Sequence, residues 1–160
     1  MKKLLLLLCL LYLGFSAVAQ HYDKYCNNLY SFCIDIPGNF NRVGATKTSE
    51  GQHFTSKDGS KLEVYGAPNL QNETLKQRFD RELAALTNDS SVAHSTQLPT
   101  IEKAELHENS FTIQFQNQNF TNLIYRKLEN NAWKSIELHY PTAKGKEYAE
   151  RAKRMIGSFK

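Results

Sequence analysis

An α+β fold, an antiparallel β-sheet flanked by helices, is predicted by three features of the 160-residue sequence. Two segments repeat apolar residues every three or four positions. Seven others are short, rich in β-branched and aromatic residues, and separated by turn formers. Their order, β-β-β-α-β-β-β-β-α, contains no alternating βαβ unit, so the strands are expected to pair antiparallel with the helices packed on the sheet.

Taken in order, the first strand is Phe32-Cys33-Ile34-Asp35-Ile36, stopped by Pro37-Gly38, which turn the chain towards Phe40. After a loop through Gly44 and Gly51, strands at 52–56 and 61–65 flank Lys57-Asp58-Gly59-Ser60, where Asp-Gly supplies the positive φ of a hairpin turn. From Glu73 the period changes. Leu75, Phe79, Leu83 and Leu86 fall on one stripe, with Lys76, Asp80 and Arg81 outside it, which predicts a helix to about Thr87 with Asn72 as its cap. The cluster Asn88-Asp89-Ser90-Ser91 releases that helix, and a weaker strand is placed at 92–97.

Beyond Pro99 a meander is predicted at 101–107, 111–116, 120–128 and 132–140. Its turns are rich in asparagine, which tolerates left-handed backbone and bonds its own main chain. Phe111, Ile113 and Phe115 alternate with Thr112, Gln114 and Gln116, as expected of a strand with one wet face, whereas Leu123-Ile124-Tyr125 is apolar without a break and reads as a strand covered on both faces. Pro141 ends the last strand, and Tyr148, Ala152, Met155 and Phe159 mark a second helix.

Lys2 and Lys3 precede an apolar run over 4–15, and Ala17-Val18-Ala19 then supplies the small-x-small pattern of a cleavage site. Residues 1–19 are therefore read as a signal peptide cut between Ala19 and Gln20, which places the mature chain in the periplasm or outside the cell. The run is shorter than the roughly 20 apolar residues a membrane span needs, so no stable insertion is expected after cleavage. Cys9 follows Leu8 instead of a small residue and interrupts the apolar run, which argues against lipidation. Residues 20–160 are long enough to bury one continuous core and are read as a single domain.

Loss of Lys2 and Lys3 leaves 18 basic against 16 acidic residues, a net of +2, with the signs interspersed. That excludes nucleic acid and a polybasic membrane patch as expected partners. Cleavage also removes Cys9, leaving Cys26 and Cys33 with one possible intramolecular pairing in an oxidising compartment. The predicted disulfide closes an eight-residue loop and contributes about 2.5 kcal/mol, enough to pin the N-terminal segment to the first strand. A redox pair would instead be C-x-x-C at a helix start.

Phosphate-loop, dinucleotide, zinc-protease and nucleophile-elbow patterns are absent: Gly145-Lys146 runs into Glu147, and His107-Glu108 has no second histidine at the required spacing. Asp58-Gly59 lacks the acidic ligands of a calcium loop. No catalytic residue, cofactor or metal ligand is assigned. His53, His94, His107 and His139 fall on or near strands, but no two stand at i,i+2 or i,i+4. On the last strand Trp133, Glu137 and His139 share one parity, opposite Ile136, Leu138 and Tyr140. The plain reading places Trp133 in the core under a helix. The functional reading joins Trp133, Glu137 and His139 with His107 in a shallow groove for a ligand or peptide. Tyr22, Tyr25 and Tyr30 are read as rings that cover the sheet edge beside the cystine loop.

Ile34-Asp35-Ile36-Pro37 with Phe40, Asp58-Gly59 leading into Leu62-Glu63-Val64-Tyr65, Leu138-His139-Tyr140-Pro141, and the closing Ser158-Phe159-Lys160 together resemble the PsbP/Mog1/DcrB-like superfamily over about the whole mature chain. Tyr30-Ser31-Phe32-Cys33-Ile34-Asp35-Ile36-Pro37, with Cys26 upstream, is similar to small exported bacterial members without an assigned function. The resemblance implies an α/β/α sandwich and a role in binding or assembly. PsbP acts on the lumenal side of photosystem II and Mog1 binds a nuclear small GTPase, and no functional residue of either is matched here. The expectation is an exported, non-enzymatic envelope protein that binds a protein partner. The alternative is a periplasmic protein for a small ligand or metal, with hydrolysis as an option; a concave pocket with convergent polar groups separates the two.

Overall fold

Antiparallel pairing sorts the strand residues onto two faces, and each face is closed by a different helix. The computed structural model describes residues 20–44, 50–88 and 98–160. The signal-peptide reading of 1–19, the strand placed at 92–97, His94 and the helix-ending residues from Asp89 lie outside the described residues. Among the described residues the chain runs β1 (Tyr22–Asn27), β2 (Phe32–Pro37), β3 (Phe40–Arg42), β4 (Gly51–Ser56), β5 (Lys61–Pro68), α1 (Leu75–Asn88), β6 (Thr100–Leu106), β7 (Ser110–Asn117), β8 (Phe120–Glu129) and β9 (Ala132–Pro141). A short 3₁₀ turn (Thr142–Lys144) then leads into α2 (Gly145–Ser158). A seven-stranded antiparallel sheet has the order β3-β4-β5-β9-β8-β7-β6, and β1 and β2 form a separate hairpin.

On one face of the large sheet, Leu62 and Val64 of β5, Leu123 and Tyr125 of β8, and Ile136 and Leu138 of β9 form the main core. Its cover is α2, through Tyr148, Ala152 and Met155, and the β1–β2 hairpin, through Tyr25, Ile34 and Ile36. The opposite face carries a smaller cluster, Phe111, Ile113 and Trp133, closed by the predicted stripe Leu75, Phe79, Leu83 and Leu86 of α1. Ile124 joins this second cluster while its neighbours Leu123 and Tyr125 belong to the first, which is why that segment is apolar without a break. The result is the expected sheet between helices, with the hairpin sharing a layer with α2.

Two strands escape the sequence reading. In β1 the apolar positions are interrupted by Asp23-Lys24, and β3 has three residues, too few to show a period. β1 nonetheless pairs in full with β2 and sets Cys26 opposite Cys33, where they form the disulfide. Tyr25 enters the core instead of lying over an edge, edge-to-face with Phe54 at 5.8 Å. The hairpin is docked at its tip by Tyr30, whose ring lies on Gly66 of β5 so closely that a Cβ there would come within 2.2 Å of it. Main-chain bonds between Cys33 and Lys160 tie it to the end of α2 (2.8 and 3.2 Å).

The cap of α1 is Thr74, not Asn72. Gln77 N–H donates to Thr74 Oγ1 (3.2 Å) and Thr74 N–H donates to Gln77 Oε1 (2.8 Å), a reciprocal capping box. Asn72, at φ +50°, belongs to the preceding turn, where its N–H donates to Asn69 O. At the β4–β5 turn Gly59 adopts φ +86° as predicted, and the Asp58 carboxylate accepts bonds from Ser60 N–H (3.1 Å), Lys144 Nζ (2.8 Å) and Tyr148 Oη (2.9 Å). Burial alone would raise the Asp58 carboxyl, but these donors hold it well below the usual carboxylate range. Asn130 and Asn131 both adopt positive φ in the two-residue β8–β9 turn; in the β7–β8 turn it is Gln118, between two asparagines, that does so.

Candidate functional site: a trough on the α1 side of the sheet

α1 covers only part of its face. Beyond it, alternate residues of β4, β5, β9, β8 and β7 line three adjoining recesses. The first, of about 320 Å³, lies over β4 and β5 between His53, Glu63 and Tyr65. Glu63 also lines the second, of about 260 Å³, with Lys61, Asn122, Glu137 and His139. Phe115 and Ile124 lead from there into a third, of about 350 Å³, under the C-terminal half of α1. Crossing five neighbouring strands, the trough spans about 19 Å, the reach of roughly six extended residues.

Register explains why these groups meet. Lys61 stands opposite His139 and Glu63 opposite Glu137 on β5 and β9, while Asn122 faces His139 and Ile124 faces Glu137 on β8 and β9. At the centre, Glu137 Oε1 accepts from Tyr65 Oη (2.6 Å) and from Arg126 Nη2 (2.6 Å). Arg126 Nε donates to Glu82 Oε1 (3.1 Å), which also accepts from Arg78 Nε (2.5 Å) on the same helix. Burial alone would raise the Glu137 carboxyl, but the Arg126 guanidinium and the bonds from Tyr65 and Arg126 bring it below its ordinary value. Burial pushes the Tyr65 phenol far up. Both groups therefore keep fixed roles around neutrality, Glu137 as carboxylate and Tyr65 as donor.

His139 stacks on Phe120 at 4.4 Å between ring centres, and its Nδ1 lies 2.8 Å from Asn122 Oδ1. That oxygen can only accept, so Nδ1 carries the proton and Nε2 of the neutral ring is an acceptor. Burial, and then Lys61, hold the imidazole below its ordinary pKa.

The four residues singled out from sequence are divided by the fold. Glu137 and His139 share the second recess. Trp133 has the same parity but is 3% exposed in the core under α1, with Arg78 5.4 Å from its ring centre. His107 follows β6, three strands from β9, exposed and 3.7 Å from Glu105, so it does not join the trough. Among the described residues no group of three His, Cys, Asp or Glu side chains is placed to hold a metal ion. Arg126, Tyr65, Glu82 and Lys61 were not singled out. For Lys61 and Tyr65 the one sequence signal was parity, with Lys61, Glu63 and Tyr65 alternating against Leu62 and Val64.

The same architecture occurs in solved structures. The chain is similar to the solution structure of cyanobacterial PsbP (CyanoP) from Synechocystis sp., with a TM-score of 0.68 at 13% identity over 92% of this chain and 95% of that one. It is also similar to a point mutant of the protein Mog1, with a TM-score of 0.63 at 8% identity over 88% and 95% of the two chains. The chain has the PsbP/Mog1-like fold. No family model matches the sequence, and comparison with curated proteins finds no match. At these identities the PsbP/Mog1-like likeness speaks for architecture alone, so the trough is argued from this chain's own residues. Among the described residues no helix is long and apolar enough to cross a membrane.

Proposed function

We propose that the mature chain is an exported, non-enzymatic envelope protein that holds an extended segment of a partner protein in the trough across β4 to β7. The observation that carries this reading is the trough's shape: three recesses joined through shared lining residues into a channel about six residues long, instead of one enclosed cavity. Its charged groups of both signs, Lys61, Glu63 and Glu137, suit the mixed polarity of a polypeptide. Export rests on the signal-like pattern of residues 1–19 and accords with the Cys26–Cys33 disulfide.

A photo-crosslinking residue placed at Lys61 or His53, both exposed in the trough, tests the reading in the native host. The expected result is a discrete adduct with one protein from the trough positions and none from Lys153 on the outer face of α2. Equal labelling from both faces, or none from the trough, would overturn it. The chain itself, recovered from the same host, should begin at Gln20 by mass spectrometry of its N-terminus.

A further inference from the structure

A cut between Ala19 and Gln20 makes Gln20 the first residue of the mature chain, and the fold holds its side-chain amide at both ends. Oriented so that its oxygen meets donors, the amide accepts from Arg151 Nε (2.5 Å) and Nη2 (3.1 Å), while Gln20 Nε2 donates to Tyr22 Oη (3.0 Å). Tyr22 opens β1 and Arg151 belongs to α2, so the contact ties the start of the chain to the second helix. Arg151 is 8% exposed and fixed on its other sides by Glu147, which accepts from Nη2, and by the Tyr148 ring, whose centre lies 4.7 Å from the guanidinium carbon. Tyr22 is fixed in turn by Arg154, 4.1 Å from its ring centre. Burial raises the Tyr22 phenol above its ordinary value, so Oη keeps its proton at neutrality.

Each of these contacts falls on an atom that changes when an N-terminal glutamine closes into a lactam. In that reaction the α-nitrogen attacks the side-chain carbon Cδ, the new N–Cδ bond closes the ring, the Cδ–Nε2 bond breaks, and Nε2 leaves as ammonia. The α-amine of a chain end ionises near neutrality, so part of it is unprotonated and nucleophilic there. Negative charge gathers on Oε1 as the tetrahedral intermediate forms, where Arg151 supplies two donors from a largely water-excluded position. Nε2 must gain a proton as it departs; Tyr22 O–H can give it, and the α-nitrogen returns one to the phenol. We infer that Gln20 of the mature chain cyclises to pyroglutamate, with Arg151 holding the carbonyl oxygen and Tyr22 passing a proton to the departing ammonia. The inference rests on the cut proposed before Gln20. The ring keeps the carbonyl that Arg151 binds, removes a positive charge from the residue that Arg151 touches, and leaves no free amine for an aminopeptidase.

The mature chain is prepared behind a fusion partner whose protease leaves no residue of its own, with the disulfide intact, and the loss of one ammonia is followed by intact mass from the moment of release. The folded chain is expected to cyclise at least about tenfold faster than the same chain unfolded in guanidinium chloride. Tyr22→Phe removes the proton donor, and Arg151→Lys keeps the charge but loses the two-donor fork; each should slow the folded chain about tenfold or more. Circular dichroism establishes that both variants are folded when their rates are read. Equal rates in the folded and unfolded chain, or an unchanged rate in either variant, would overturn the inference. Chain recovered from the native host should carry the ring. A native chain that begins at Gln20 with its amide intact would overturn the inference while upholding the cut. One that begins elsewhere would sink the cut, and the rates of the purified chain would still decide the chemistry.

Discussion

At the scale of single residues, the groups that organise this protein are those whose chemistry is completed by distant parts of the chain. Asp58 begins as a turn former, yet its carboxylate receives Tyr148 Oη and Lys144 Nζ from the far end of the sequence and so joins the β4–β5 hairpin to α2. Tyr148 is fully buried, so Asp58→Ala leaves its hydroxyl without an acceptor and should cost about 1–3 kcal/mol in urea unfolding. Tyr148→Phe made in the Asp58→Ala background should then cost less than in the wild type, with a coupling of roughly 1 kcal/mol. Strictly additive losses would show that the contact contributes nothing. The sequence marked Asp58-Gly59 as a turn because Gly59 needs positive φ; what the carboxylate does was not legible, since its partners lie some 90 residues away. The same holds for Arg126, whose partners come from α1 and β9. Glu137 and His139 were visible through parity, but parity does not say where α1 stops covering the face, and so Trp133 was grouped with residues that remain open.

At the scale of elements, the strongest periodic signals gave the right helices and the shortest gave none. Both helical stripes survive because four apolar residues at near-helical spacing can be buried together only as a helix, here on opposite faces of one sheet. β3 had no such signal. β1 had an indirect one, because a disulfide between Cys26 and Cys33 with six residues between them is what a closed hairpin provides, although Asp23-Lys24 hides the strand pattern. The start of α1 was misplaced by two residues because Asn72 and Thr74 are both good caps, and the choice was made by Gln77, which reaches back to Thr74 but not to Asn72. Thr74→Ala should therefore destabilise the protein by about 1 kcal/mol, and Asn72→Ala should not weaken the helix start. Circular dichroism during thermal unfolding of Thr74→Ala decides this, and an unchanged midpoint would remove Thr74 as the cap.

At the scale of the whole molecule, ionised groups on both sides of the sheet make folding depend on pH in two stages. Asp58, where the Lys144 and Tyr148 bonds outweigh burial, and Glu137, where Arg126 does, both hold their protons less tightly than the ordinary values of 3.8 and 4.5. Unfolding restores ordinary affinity, so their stabilisation is intact above that range and is lost as pH falls through it towards their lower native values. His139 is a base with the same direction of shift, caused by burial and then by Lys61, from an ordinary 6.5. Its unfolded form takes up a proton first. The stability it confers as a neutral ring is whole above about 6.5, declines as pH falls from there, and is fully lost below its native value, where both states are protonated. The urea midpoint should accordingly fall gently from pH 7.5 to 5.5 and then steeply below about pH 4.5. In His139→Gln, whose amide can still donate to Asn122 Oδ1, the gentle stage should shrink while the steep stage remains. If the decline between pH 7.5 and 5.5 is the same in both proteins, burial and Lys61 do not weaken the proton affinity of His139 in the folded chain, and the ring takes up its proton over the same range folded or unfolded.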